Sequence, residues 1–214
     1  MKPIHIGGML LFALLAACRP SPPEQPQAEP ALAPVVAAPA ASPPLVAAAR
    51  RQVGVTRLYD PAYVDLPYPG GDVPTERGVC TDVIVRALRS QSVDLQQAIH
   101  EDMRGHFAEY PQQWGLQGPN RSIDHRRVPN QMRWFEREGW SQPITTNADD
   151  YAAGDIAAWK LNGSGLLHIG IVSDRKSANG TPLIIHNIGD GTQEDDILFR
   201  HAVIGHYRPI MNDP

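Results

Sequence analysis

The feature that most restricts the fold is a change of hydrophobic period near residue 140. Before it, apolar residues recur at helical spacing: Val83, Ile84, Ala87 and Leu88, then Leu95, Ile99, Met103 and Phe107. After it come short apolar runs bounded by Gly, Asn and Asp, at 155–161, 168–173, 183–188 and 202–207, which read as four antiparallel strands. Helices first and a strand meander afterwards predict an α+β domain, with N-terminal helices packed on a C-terminal antiparallel sheet. The predicted helices cover 45–53, 80–91, a segment from Leu95 capped by Asp94, and 131–137 stopped by Gly139. Between them, 110–130 reads as an irregular stretch rich in functional side chains, as binding loops are.

The N-terminal quarter has a different character. Lys2 precedes an apolar run from Ile6 to Ala17 that is too short to span a bilayer, the pattern of a secretory signal over 1–17. Leu15-Ala16-Ala17-Cys18 resembles the bacterial lipobox, which implies acylation of Cys18 and a lipid anchor in the membrane. The Pro- and Ala-rich segment up to residue 44 cannot build a core and reads as an extended spacer, with a reach of roughly 80 Å. The folded domain is expected over 45–214, in the periplasm. Arg19 after the lipidated cysteine, in place of the aspartate that retains such proteins at the inner membrane, favours the outer one. A net charge of −4 and the lack of a basic run argue against nucleic acid as a partner.

With Cys18 lipidated, Cys80 is left as a lone thiol in an oxidising compartment. It stands where Gly78 gives way to a helix, and the positive end of a helix dipole favours thiolate over thiol. A cysteine nucleophile needs a base, and the base needs a group to orient it. The strand histidines His168 and His186 are the candidates. The midpoint between them, residue 177, falls in a predicted hairpin connection containing Asn179-Gly180, so antiparallel pairing brings the two imidazoles to one face. A one-residue slip would present Asn187 in place of His186; hairpin symmetry favours His186.

The order of these residues, with Gly154-Asp155-Ile156 entering a strand, His168-Ile169-Gly170-Ile171-Val172 and Ile184-Ile185-His186, resembles the NlpC-type cysteine peptidases of the papain superfamily. That resemblance implies a papain-like fold, Cys80 as nucleophile, His168 as base and His186 as third member. The wider pattern also resembles a bacterial envelope family catalogued as a domain of unknown function. It is carried by Gly71-Asp72-Val73-Pro74, Gly78-Val79-Cys80-Thr81-Asp82, His100-Glu101-Asp102-Met103, the run from Ile123 to Asn130 and Gly205-His206-Tyr207-Arg208. The residues flanking Cys80 depart from the peptidase pattern, where aspartate commonly precedes and Ser-Gly follows.

The expected reaction is acyl transfer to Cys80 followed by hydrolysis, with peptidoglycan peptide amides as substrate and no cofactor or metal. The Cys80 backbone N–H is one oxyanion donor, and one of Tyr59, Tyr63 and Tyr68 is a candidate for the second. Asp124, Arg126, Arg127 and Asn187 are candidate substrate-binding residues; the arginines either receive a substrate carboxylate or pair with nearby acids. Two other classes compete. A zinc hydrolase is weakened by the lack of a His-Glu-x-x-His run. An envelope-binding protein with an inactive site of the same fold is the other.

Overall fold

The computed structural model describes residues 41–210; the predicted signal peptide, Cys18 and nearly all of the spacer lie outside the described residues. The mixed α+β class expected from the sequence is observed. Four helices, α1 (Pro44–Arg50), α2 (Cys80–Arg89), α3 (Leu95–His106) and α4 (Val128–Arg137), precede the main sheet. Its strands are β3 (Ile156–Lys160), β4 (Leu167–Lys176), β5 (Pro182–Asn187), β6 (Thr192–Asp195) and β7 (Ala202–Tyr207), all antiparallel in the order β6-β5-β4-β3-β7. Two short strands, β1 (Leu58–Tyr59) and β2 (Arg77–Gly78), pair in parallel beside the start of α2.

Three differences from the sequence reading have physical causes. The sheet has five strands, not four, because β6 is the polar edge segment Thr192-Gln193-Glu194-Asp195 and shows no apolar alternation. Helix α4 begins three residues earlier than predicted, since Pro129 sits in its first turn, where a missing N–H does no harm. The 110–130 stretch is less irregular than expected and holds a 3₁₀ turn at Asp124–Arg126. Other signals read as written: the Asp94 side chain accepts the Gln96 N–H, and Gly139 ends α4 at φ +74°.

The two faces of the sheet carry different layers. Ile156, Ala158, Ile169, Ile171 and Ile185 pack on the helices, together with Val83, Ile84, Leu88 and Phe135. Ala157, Trp159, Val172 and Ile184 face the other way, under Ile197 and Leu198. Helix α2 is thus the buried central helix, flanked by α1, α3 and the sheet. Apart from Arg86 and Arg89, every side chain of α2 is buried, which fixes its N-terminus rigidly against β4 and β5.

Candidate active site

The site is assembled around the first turn of α2. The Val79 N–H donates to Asp82 Oδ2 at 2.7 Å, half of a capping box, and Asp82 in turn receives Arg126 through two bonds of 2.9 and 3.0 Å. The Thr81 hydroxyl donates to the Arg126 carbonyl, and Gln131 Nε2 donates to the carbonyls of Thr81 and His125. The Ile123–Asn130 motif therefore forms a collar around the start of α2. Gly78 lies one residue before the cap, and its carbonyl accepts from the Asp60 N–H and from Asn187 Nδ2, both at 3.0 Å.

This settles where several candidate residues sit. Arg126 is committed to Asp82 and to the carbonyls of Ala62 and Asp60, so it is not free for a substrate carboxylate. Asn187 holds the Cys80 turn to β5 and does not reach His168. Asp124 is buried, accepting the Asn120 N–H and Arg127 Nη1. Arg127 is different: its guanidinium lies 3.9 Å over the Trp114 ring, spends one bond on Asp124, and lines a cleft of about 290 Å³ with Tyr59, Val79, Cys80 and Leu167.

His168 and His186 meet. His168 Nε2 and His186 Nδ1 are 2.9 Å apart, with the rings nearly perpendicular at 87°. The register is not the one the hairpin midpoint implies: Ile171 pairs with Ile185, which puts His186 across from Gly170, two residues from His168. A two-residue shift keeps both side chains on one face, so the rings still meet, on a diagonal. Gly170 makes that diagonal available. A Cβ there would stand 2.6 Å from Ile184 Cγ2 and 3.0 Å from His186 Cβ. Gly170→Ala is expected to destabilise the domain by about 1–3 kcal/mol, seen as a lower urea midpoint, and to push the two rings apart.

Cys80 approaches from the other side of the sheet. Its sulfur lies beside the backbone N–H of Ile169, whose side chain shares the helix face with Cys80 while His168 points to the opposite face, and no hydrogen bond joins it to either imidazole. The expectation of a stabilised thiolate is overturned. Burial pushes the thiol up to about 12, the Asp82 carboxylate adds to this, and the backbone donors of Ile169 and the helix start do not compensate. Burial, reinforced by His186, pulls His168 down to about 3. At rest the site therefore holds a neutral thiol and a neutral imidazole. Alkylation of Cys80 by iodoacetamide is expected to rise about tenfold per pH unit from pH 7 to beyond 10, without the neutral plateau of a thiolate–imidazolium pair.

Of the three upstream tyrosines, Tyr59 is brought to the thiol, because β1 pairs it with Gly78. Burial and then the neighbouring Cys80 raise its phenol to about 12. Sequence reasoning had no signal to choose it, since a two-residue strand leaves no pattern. It also missed Asp195, whose Oδ2 lies 3.3 Å from His186 Nε2. Among the described residues no three His, Cys, Asp or Glu side chains converge closely enough to hold a metal ion.

These features define an α+β domain with one buried cysteine and a tyrosine at the start of a central helix, and a bonded histidine pair on the opposite face of the sheet, so the predicted Cys80, His168 and His186 set is not brought together at rest. Comparison with known proteins places it further: residues 46–209 match the Domain of unknown function (DUF1287), and the chain belongs to that family. It is similar to the Escherichia coli (strain K12) "Uncharacterized protein YijF", 61% identical over 160 residues, which cover 75% of this chain and 78% of that one.

Proposed function

We propose that the protein is a cell-envelope cysteine amidase or peptidase of papain-like, NlpC-type fold, acting on peptide amide bonds of peptidoglycan. One observation carries this reading. Cys80 lines an open cleft at a helix start beside Tyr59, and a buried, bonded His168–His186 pair lies across β4 from it. In the proposed reaction the sulfur attacks the amide carbonyl while its proton passes to His168 Nδ1. In the resting structure the two side chains lie on opposite faces of β4, so this step requires the start of β4 to turn the His168 ring toward the thiol when substrate enters. The Cys80 N–H and the Tyr59 hydroxyl receive the oxyanion. Collapse of the adduct expels the amine, which takes the proton from His168. Water, deprotonated by the same ring, then splits the thioester to a carboxylic acid.

The cleft supports a substrate class. Its walls are largely apolar, and Arg127 keeps donors beyond its one bond to Asp124, so a carboxylate near the scissile bond would rest on the Arg127–Trp114 shelf. Arg127→Gln is expected to raise KM for such peptides about tenfold with kcat little changed, as loss of a uniform binding contact does. The lipid anchor on Cys18 and the spacer after it would hold the domain in the periplasm, on the outer membrane, within reach of the wall.

The neutral thiol, unbonded to imidazole, favours a second reading, an inactive envelope binder of the same fold. Products decide between them. Full-length protein incubated with purified sacculi is expected to release fragments carrying one added water across a single peptide amide, by mass spectrometry. Fragments identical to those from Cys80→Ala protein would sink the hydrolase reading.

A further inference from the structure

We infer that Asp195 is a positioning residue that sets the tautomers of His186 and, through it, of His168. The argument starts from a degeneracy. A bond between His168 Nε2 and His186 Nδ1 can be made in two ways: His168 donates from Nε2, or His186 donates from Nδ1. Both satisfy the 2.9 Å contact equally. Their chemistry is opposite. When His168 donates from Nε2, a neutral ring keeps its lone pair at Nδ1 and can take a proton there. When His186 donates, neutral His168 must carry its hydrogen on Nδ1 and has nothing to offer an incoming thiol proton.

Asp195 removes the degeneracy. Its carboxylate only accepts, and Oδ2 stands 3.3 Å from His186 Nε2. That buried nitrogen has no partner in hydrogen-bond geometry, so the ion-pair-range Asp195 carboxylate is what acts on it. Hydrogen on His186 Nε2 gains this interaction, which leaves Nδ1 as acceptor and obliges His168 to donate from Nε2. Burial disfavours the cationic form of His186 and outweighs the pull of Asp195, and Arg200 and His201 add to it, so the ring stays a neutral relay. The fold supplies Asp195 cheaply. Edge strand β6 pairs Asp195 with Ile184 and Gln193 with His186, which puts Asp195 and His186 on the same face while the carboxylate stays 42% exposed.

The tautomer claim stands on geometry alone, and the claim about turnover rests on the hydrolase reading above, so two measurements are needed. Long-range proton–nitrogen NMR on full-length protein with ¹⁵N-labelled histidine is expected to show hydrogen on Nε2 of both His168 and His186. In Asp195→Ala, His186 is expected to move wholly or partly to the Nδ1–H form, and Asp195→Glu to restore the parent pattern. Tautomers unchanged in Asp195→Ala would overturn the inference whether or not the protein cleaves anything. With sacculus peptides, kcat is expected to fall about 10–100-fold in Asp195→Ala at constant KM, and to recover in Asp195→Glu. A changed tautomer with unchanged kcat would overturn the role in turnover and leave the hydrolase reading intact. Absence of cleavage by the parent protein would sink that reading and leave the NMR result to decide this one.

Discussion

Cys80→Ala protein is expected to release peptide from sacculi at least about 10⁴-fold more slowly than the parent, with no loss of fold. The size of the effect follows from what remains. The Cys80 N–H and the Tyr59 hydroxyl survive the substitution, so on the hydrolase reading the cleft would keep its substrate contacts and both proposed oxyanion donors. No atom remains to form the acyl intermediate. If Cys80 and His168 act as the proposed nucleophile and base in one step, His168→Ala is expected to cost about as much, and the double variant little more. Stability should change by only about 1 kcal/mol, since a single sulfur leaves a small cavity that borders an open cleft. An unchanged thermal midpoint beside abolished release separates chemistry from folding. Release at the parental rate would mean that some other group does the cutting.

The neutral state of the site also bears on how a slow or gated enzyme would behave. A thiol pushed up to about 12, with the imidazole pulled down to about 3 on the opposite face of the sheet, transfers no proton on its own. Transfer becomes favourable only once a substrate carbonyl accepts the electron pair and its oxyanion is met by donors. A free thiol so protected also resists oxidation, because thiolate character governs that reactivity. Burial would then trade resting nucleophilicity for chemical persistence in an oxidising compartment.

Much of this was legible in the sequence because it rests on periodicity. Helical spacing exposed α2 and α3, apolar runs exposed β3, β4, β5 and β7, and hairpin arithmetic brought His168 to His186. The arithmetic erred by two residues and still succeeded, because strand faces repeat every two. What escaped has no period. Strand β6 is four polar residues, and Asp195 is invisible without it. Tyr59 reaches Cys80 through a two-residue parallel pairing. The state of the thiol was misread because the dipole of α2 is a local property visible in sequence, whereas burial is a property of the whole core. The two arginines at 126 and 127 looked equivalent, and only packing separates one fixed on Asp82 from one that pairs with Asp124 and still lines the cleft over Trp114.

That separation leads to the other large effect. Asp82→Ala is expected to destabilise the domain by about 3–5 kcal/mol, a sizeable part of the 5–15 kcal/mol typical of a domain. Asp82 and Arg126 side chains are only 3% and 2% exposed, so removing the carboxylate strands a buried guanidinium. The Val79 N–H loses its acceptor at the same time, which uncaps the helix that carries Cys80. In a thermal melt the loss should appear as roughly a 10 °C drop or more. Pairing Asp82→Asn with Arg126→Met should recover at least about half of it, because an uncharged pair no longer strands a charge. The same variant gives a second signal of opposite sense. The Asp82 carboxylate helps to raise the Cys80 thiol, so in the Asn/Met protein, held well below its melting point, alkylation should begin at lower pH than in the parent. Stability falling while the thiol becomes easier to ionise would show that one carboxylate both builds this helix start and keeps its sulfur protonated; an unmoved alkylation profile would assign the thiol's state to burial alone.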